Sequence, residues 1–214
     1  LTEKHRMEKQ LDEVRLQMLK NQINPHFLFN TLNMIASTAQ IEDADTTEKM
    51  IHALSRLFRY NLKSTDSVMP LERELKVVQD YMYLQQMRFG QRIRYDTDCK
   101  PDTMEVLVPS FALQPLVENA IIHGISPKGQ GGRIHVRSWM EGRRLWISVA
   151  DTGRGMAQER LEEIRLALAR GEEKATGVGV GNIYRRVHGM YRDGEVFIYS
   201  SEGRGTVVQM AFTP

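Results

Sequence analysis

The stretch VADTGRGM, residues 149–156, closes an alternating apolar run with an aspartate and follows it with two glycines. The run LWISVAD has the period-two pattern of a strand, so Asp151 stands where a strand ends. The chain must turn sharply there, and Gly153 and Gly155 permit positive φ and close backbone approach. Taken alone, an Asp-x-Gly-x-Gly turn is weak, since a plain Asp-rich turn has the same form.

Three further segments give it a setting. PSFALQPLVENAIIHG (109–124) reads as a helix entered through Pro109 and Ser110 and stopped by Gly124, carrying Glu118 and Asn119. An asparagine on an apolar helix is commonly just a satisfied polar group. TGVGVGN (176–182) alternates Gly177, Gly179 and Gly181 ahead of a helix. Such a run exposes backbone N–H groups at the positive end of a helix dipole, which suits phosphate. It lacks the Gly-Lys-Ser/Thr of a Walker A loop, and its spacing and surroundings do not fit a Rossmann fingerprint. SSEGRGTVVQM (200–210) turns tightly at Gly203 and Gly205 and enters a strand at Thr206.

Around these segments the chain divides. Residues 1 to 40 read as helix, with Met7, Leu11, Val14, Met18 and Asn21 at alternating steps of four and three. That is a coiled-coil seam, read as a parallel dimer or as a helix lying on its own domain. Pro25 removes an intrahelical hydrogen bond, at a cost of ~3 kcal/mol in a helix interior. Either the helix kinks there or it restarts with Asn24 as N-cap and Pro25 in the first turn. A second helix spans about Thr46 to Leu62 and a third starts at Pro70 and runs to Gly90. Beyond, IRYDTD, RIHVRSWM, LWISVAD, EVFIYSS and GTVVQMAFT read as strands, and QERLEEIRLALARG and NIYRRVHGMY as helices. The boundary falls near residues 66–92.

The bulk properties exclude several classes. The 214 residues carry a net charge of +2, so there is no strong electrostatic pull toward nucleic acid. Cys99 is alone, which rules out an internal disulfide framework and fits a reducing compartment. No apolar run approaches the ~18 residues of a membrane span. The chain opens on Leu1 and is charged from the outset, so a fragment of a longer protein is expected.

In their order and separation, the asparagine helix, the Asp-Gly-Gly turn, the glycine run and the final Gly-x-Gly-Thr resemble the nucleotide-binding domain shared by gyrase-type ATPases, Hsp90, histidine kinases and MutL. The resemblance covers about residues 92–213 and implies an α/β sandwich of the Bergerat (GHKL) type. It implies that ATP is held between helices and a mixed sheet, with Asn119 on a Mg²⁺ ion that bridges the phosphates. Asp151 would accept a hydrogen bond from the adenine amino group, and Gly153 and Gly155 would let the backbone pass the base. Residues 156–177 would be a mobile lid with Gly177, Gly179 and Gly181 as its hinge. Its helix, 157–170, has enough apolar surface in Leu161, Ile164, Leu166 and Leu168 to dock. His123, four residues after Asn119, together with Asn182 and Thr206, completes the expected nucleotide contacts.

LKNQINPHFLFNTLN (19–33), with LVENAIIHG (116–124) and GVGVGN (177–182), resembles the LytS/YesM-type branch of sensor histidine kinases over nearly the whole chain. The resemblance implies an α+β chain: a coiled-coil signalling helix (1–20), a helical hairpin (21–66) in a dimeric four-helix bundle, a connecting helix (67–91) and the ATP-binding domain (92–214). It implies that His26 takes the γ-phosphate of ATP and passes it to an aspartate of a response-regulator receiver domain. The protein would be a homodimer and the cytoplasmic portion of a membrane-anchored bacterial sensor, touching membrane only through segments upstream of this chain. Many histidine kinases carry an acidic residue directly after the histidine, but here it is Phe27, which accepts no proton. Glu118 is the candidate base, or else it merely orients or charges the metal site. Asn30, one turn after His26, orients the imidazole or a water that hydrolyses the regulator's phosphoaspartate. Phe27, Leu28 and Phe29 are expected to form the packing face. Of two other readings, an ATP-driven clamp of the gyrase or MutL kind leaves His26 unexplained, and the intact Asn119, Asp151 and glycines argue against a regulatory nucleotide-binding module without activity.

Overall fold

The computed structural model describes residues 25–63, 67–171 and 178–214. The coiled-coil seam, the chain entering Pro25, and Gly177 lie outside the described residues. The chain separates between Ser64 and Thr65 into two compact units. Among the described residues no helix is long and apolar enough to cross a membrane.

The first unit is a helical hairpin of α1 (Pro25–Ile41) and α2 (Asp45–Lys63). Pro25 stands in the first turn, where the missing N–H costs no hydrogen bond. Leu32, Ala36 and Ala39 of α1 are buried, as are Ala53, Ser55 and Leu57 of α2. The turn closes through Asp43 at φ 53° and a bond from the Ala44 N–H to the Ala39 carbonyl (2.8 Å). The expected packing face of three successive residues does not form. Phe27 is 70% exposed, while Leu28 and Phe29 are half-buried and Arg59 lies 5.1 Å over the Phe29 ring. Residues on a helix advance by about 100°, so three in a row cannot share one narrow face.

The second unit is a two-layer α/β sandwich. Its sheet holds β2 (Ile93–Cys99), β4 (Gly132–Glu141), β5 (Arg144–Asp151), β6 (Glu195–Ser201) and β7 (Gly205–Phe212), in the order β2-β4-β5-β7-β6. Only β2 and β4 are parallel; the other neighbours are antiparallel. β1 (Val68–Pro70) and β3 (Leu107–Pro109) make a separate antiparallel pair. Alternation puts Ile134, Val136, Leu145, Ile147, Val149 and Met210 in the core. There they join α3 (Leu71–Phe89), α4 (Gln114–Asn119), α5 (Gln158–Ala169) and α6 (Val178–Met190) through Val78, Met82, Val117, Leu161 and Ile183. The alternate strand residues form Arg133–Asp96 and Arg137–Asp98 ion pairs (3.2 and 3.5 Å) and a Trp139–Trp146 stack.

Three local readings change. Pro109 ends β3 instead of opening a helix, because Val108 and Met69 are buried in the β1–β3 pair. The proline in the first turn of α4 is Pro115. Gly124 does not stop the helix: it belongs to a π-helical turn, Ala120–Ile125, that continues α4. Gly179 and Gly181 sit inside α6, not in a loop before it. The segment read as a connecting helix, α3, contributes Leu71, Val78 and Met82 to the core it shares with the sheet.

Candidate functional site

A cavity of about 310 Å³ opens between the sheet and the helices α4, α5 and α6. Asp151 lies at the end of β5 because the alternation of LWISVAD turns it to the same side as Ile147 and Val149. It is only 9% exposed. Its Oδ1 accepts the Gly153 N–H at 2.7 Å. Burial pushes its pKa up; the Gly153 and Thr206 N–H groups and the Lys128 charge oppose that and leave a net rise. Lys128 is placed by a bond from Nζ to the Thr152 carbonyl (2.8 Å).

The glycines around Asp151 are spacing devices. A Cβ on Gly124 would meet Asp151 Oδ1 at 2.7 Å, and one on Gly153 would collide with the Gly124 backbone. Gly155 has φ +64°, and a Cβ there would strike the Ser201 carbonyl. Backbone bonds lock the cluster: Arg154 N–H to the Gly124 carbonyl (2.9 Å) and Gly203 N–H to the Arg154 carbonyl (2.6 Å). Ser200 Oγ accepts the Met156 N–H and bonds the Thr206 hydroxyl, both at 2.9 Å.

Asn119, His123, Asp151, Gly155 and Thr206 all line the cavity. Gly153 stands behind Asp151, and Gly179 behind Asn119, whose amide nitrogen a Cβ at 179 would strike. Gly181 and Asn182 are not in the lining, and Asn182 Oδ1 accepts from Arg185 at 2.5 Å. Glu118 is not in the lining either. Gln114 Nε2 donates to it at 2.8 Å, and its charge lies near Tyr81 of α3. Burial first, then that charge, pushes the Tyr81 phenol up to about 12. His26 and Asn30 lie in the hairpin unit, exposed, with the Asn30 amide 3.2 Å from His26 Nδ1.

Sequence reasoning missed Arg154, Met156 and Arg160 in the lining and Ser200 behind it. Arg154 was recoverable, since it stands between the two glycines of the turn. Arg160 looks like any other charge on α5, and Ser200 like any strand-end serine. The expected lid helix does dock: Leu161, Ile164 and Leu168 of α5 are buried, though Leu166 is exposed. Arg165 binds the Ile198 carbonyl of β6.

Chemically, the cavity joins apolar walls (Val149, Met156, Ile164, Val208) to a buried acceptor and to two arginines, a histidine and an amide. Apolar walls with a few placed polar groups are the usual form of a small-molecule site. A flat heteroaromatic amine beside Asp151 and an anionic tail near the cations match that division.

The Histidine kinase family matches residues 14–93, and the Histidine kinase-, DNA gyrase B-, and HSP90-like ATPase family matches residues 109–214. Sensor histidine kinase YpdA of Escherichia coli K12 is 36% identical over 86% of this chain and 32% of its own length. Sensor protein LytS of Staphylococcus saprophyticus is 33% identical over 92% of this chain and 33% of its own length. The chain thus spans about a third of the length of these curated relatives. In fold it is similar to the histidine kinase domain of the Erythrobacter litoralis EL346 blue-light activated histidine kinase (TM-score 0.51, 19% identity, 93% of this chain and 94% of that one). With a histidine-bearing hairpin and an ATPase-type sandwich in one chain, the protein belongs to the sensor histidine kinases.

Proposed function

We propose that this chain is the phosphotransfer and catalytic part of a two-component sensor: ATP binds beside Asp151, and its γ-phosphoryl group passes to His26 and then to an aspartate of a response regulator. The observation that carries this reading is the pairing, in one chain, of an exposed His26 held by Asn30 with a cavity built around a buried carboxylate.

Asp151 accepts the adenine amino group and so selects adenine. Asn119 is the residue that would hold Mg²⁺. Magnesium takes few protein ligands, keeps several waters and binds mainly through phosphates, so a single amide beside a cation-lined cavity fits it. When bound, the ion offsets phosphate charge. Arg154 and Arg160 add positive charge from the protein, as phosphoryl transfer requires. At His26, the Asn30 Nδ2 group lies 3.2 Å from Nδ1 and donates to it, which puts the ring proton on Nε2, to be released as Nε2 becomes the nucleophile. Nε2 then bonds to the γ-phosphorus as the bond to the β-phosphate oxygen breaks, and ADP leaves with that electron pair. Phe27 cannot take the proton released from the ring, and Glu118 is our candidate acceptor. We assign the homodimer contact to the exposed face of α1.

The test is incubation of the chain with γ-labelled ATP and Mg²⁺. The wild type is expected to gain acid-labile, alkali-stable label, and His26→Gln to gain none while melting normally, since residue 26 is exposed. Label retained in that variant overturns the assignment.

A further inference from the structure

Glu74 of α3 is fully enclosed, with 0% exposure. A carboxylate in that position requires strong hydrogen bonding to offset its lost hydration. It has it: one oxygen accepts the Phe111 N–H at 2.8 Å and the other the Leu113 N–H at 2.9 Å. Leu113 is the N-cap position of α4, and no side chain of α4 itself caps that end. The first N–H groups of a helix have no intrahelical acceptors, so Glu74 caps α4 from another helix. An amide side chain offers one acceptor oxygen where this turn has two donors.

The same turn is gripped from its other side. Arg186 of α6 donates to the Ser110 carbonyl, and its guanidinium lies 5.5 Å over the Phe111 ring. Phe111 holds φ +60°, a conformation that persists only where surroundings over-determine it. From this turn α4 runs six residues to Asn119. α6 reaches this segment a second time at Asn119, where Gly179 sits against the asparagine amide and 3.3 Å (as a Cβ position) from the Pro115 carbonyl. α6 thus meets both the turn and the amide, and α3 meets the turn through Glu74.

We propose that Glu74 is a positioning residue for the phosphate end of the nucleotide site: by holding the Phe111–Leu113 turn it fixes α4 and thereby Asn119, with Arg186 as its counterpart on α6. This rests on the nucleotide reading above. Asp151 comes from β5 and meets this segment at Gly124, in the turn beyond Asn119, so the adenine end depends less on Glu74 than Asn119 does. The effect is therefore selective, which a merely structural role would not produce.

The experiment measures the affinity of the full chain for Mg·ATP and for adenosine in wild type, Glu74→Gln and Arg186→Gln, with melting temperatures alongside. Glu74→Gln is expected to weaken Mg·ATP on the order of tenfold, the effect of one misplaced charge-assisted contact, and to weaken adenosine less. Arg186→Gln, on a more exposed side chain, shows the same selectivity to a smaller degree and decides the matter if Glu74→Gln does not fold. Equal loss of both ligands, or loss of neither, overturns the proposal. A wild type that binds neither ligand instead overturns the nucleotide reading.

Discussion

Asp151 sits where burial makes a charge expensive. Its pKa is raised by burial, so the folded state favours the protonated acid more than the unfolded chain does. Above the raised pKa the ionised group costs stability; as pH falls through it, that cost is relieved. The adenine contact proposed for Asp151 runs the other way, because it needs an acceptor. Adenosine, which has no phosphate to titrate, is expected to bind fully near neutral pH and to lose affinity above the range of an ordinary aspartate, ~3.9. A calorimetric titration from about pH 7.5 to about 4.5 reads this window; a flat affinity across it contradicts the contact. As cavity-lining residues, Asp151 and Asn119 were legible because their signals are local: a strand ending in Asp-x-Gly-x-Gly, and an Asn on an apolar helix before it. Glu74 was not, because its partners are backbone groups 37 and 39 residues away. Nothing in LERELK separates it from its exposed neighbour Glu72.

At the scale of the helix, α1 presents Phe27, Thr31, Met34, Thr38 and Ile41, again at steps of four and three. Phe27, Met34 and Ile41 are 70%, 64% and 82% exposed. The two threonines return their hydroxyls to the Phe27 and Met34 carbonyls (2.9 and 3.1 Å), so the stripe carries little unsatisfied polarity. Exposed apolar residues in heptad register fit a helix partner, which is why we place the dimer contact here. Met34→Glu is expected to shift the chain toward monomer by at least tenfold in dissociation constant without unfolding the hairpin, since desolvating a carboxylate in such a seam is costly. Sedimentation over a concentration series reads it; an unshifted equilibrium puts the contact elsewhere. The stripe was hidden in the sequence because Phe27, Leu28 and Phe29 are adjacent and equally apolar. Helix α4 was misread at its start for a related reason: LVP reads equally as helix entry or as a short strand until its partner VMP is known.

In the whole molecule, the break after Ser64 leaves all the lining of the cavity and all of α3 in one unit. Residues 65–214 alone are therefore expected to fold and to bind ADP within about twofold of the full chain, as an independent domain should. Equilibrium dialysis of both proteins makes the comparison, and a much weaker isolated unit shows that the hairpin supplies part of the site. The order of strands and helices followed from their periods, but the side on which α3 packs did not. Leu71, Leu75, Val78 and Met82 announce a buried stripe without saying what buries it.

A side chain on Gly153 would need space that the Gly124 backbone occupies, and one on Gly124 would need space that the Asp151 carboxylate occupies. Selection at Gly153 therefore acts on folding before it acts on catalysis, while Gly124 also leaves room for the Asp151 carboxylate. A descendant that lost phosphotransfer would be free to change Asn119 yet obliged to keep Gly153. In a decayed relative, an intact Gly153 testifies only to the scaffold; under the roles proposed for them, Asn119 and Asp151 together would mark a working site.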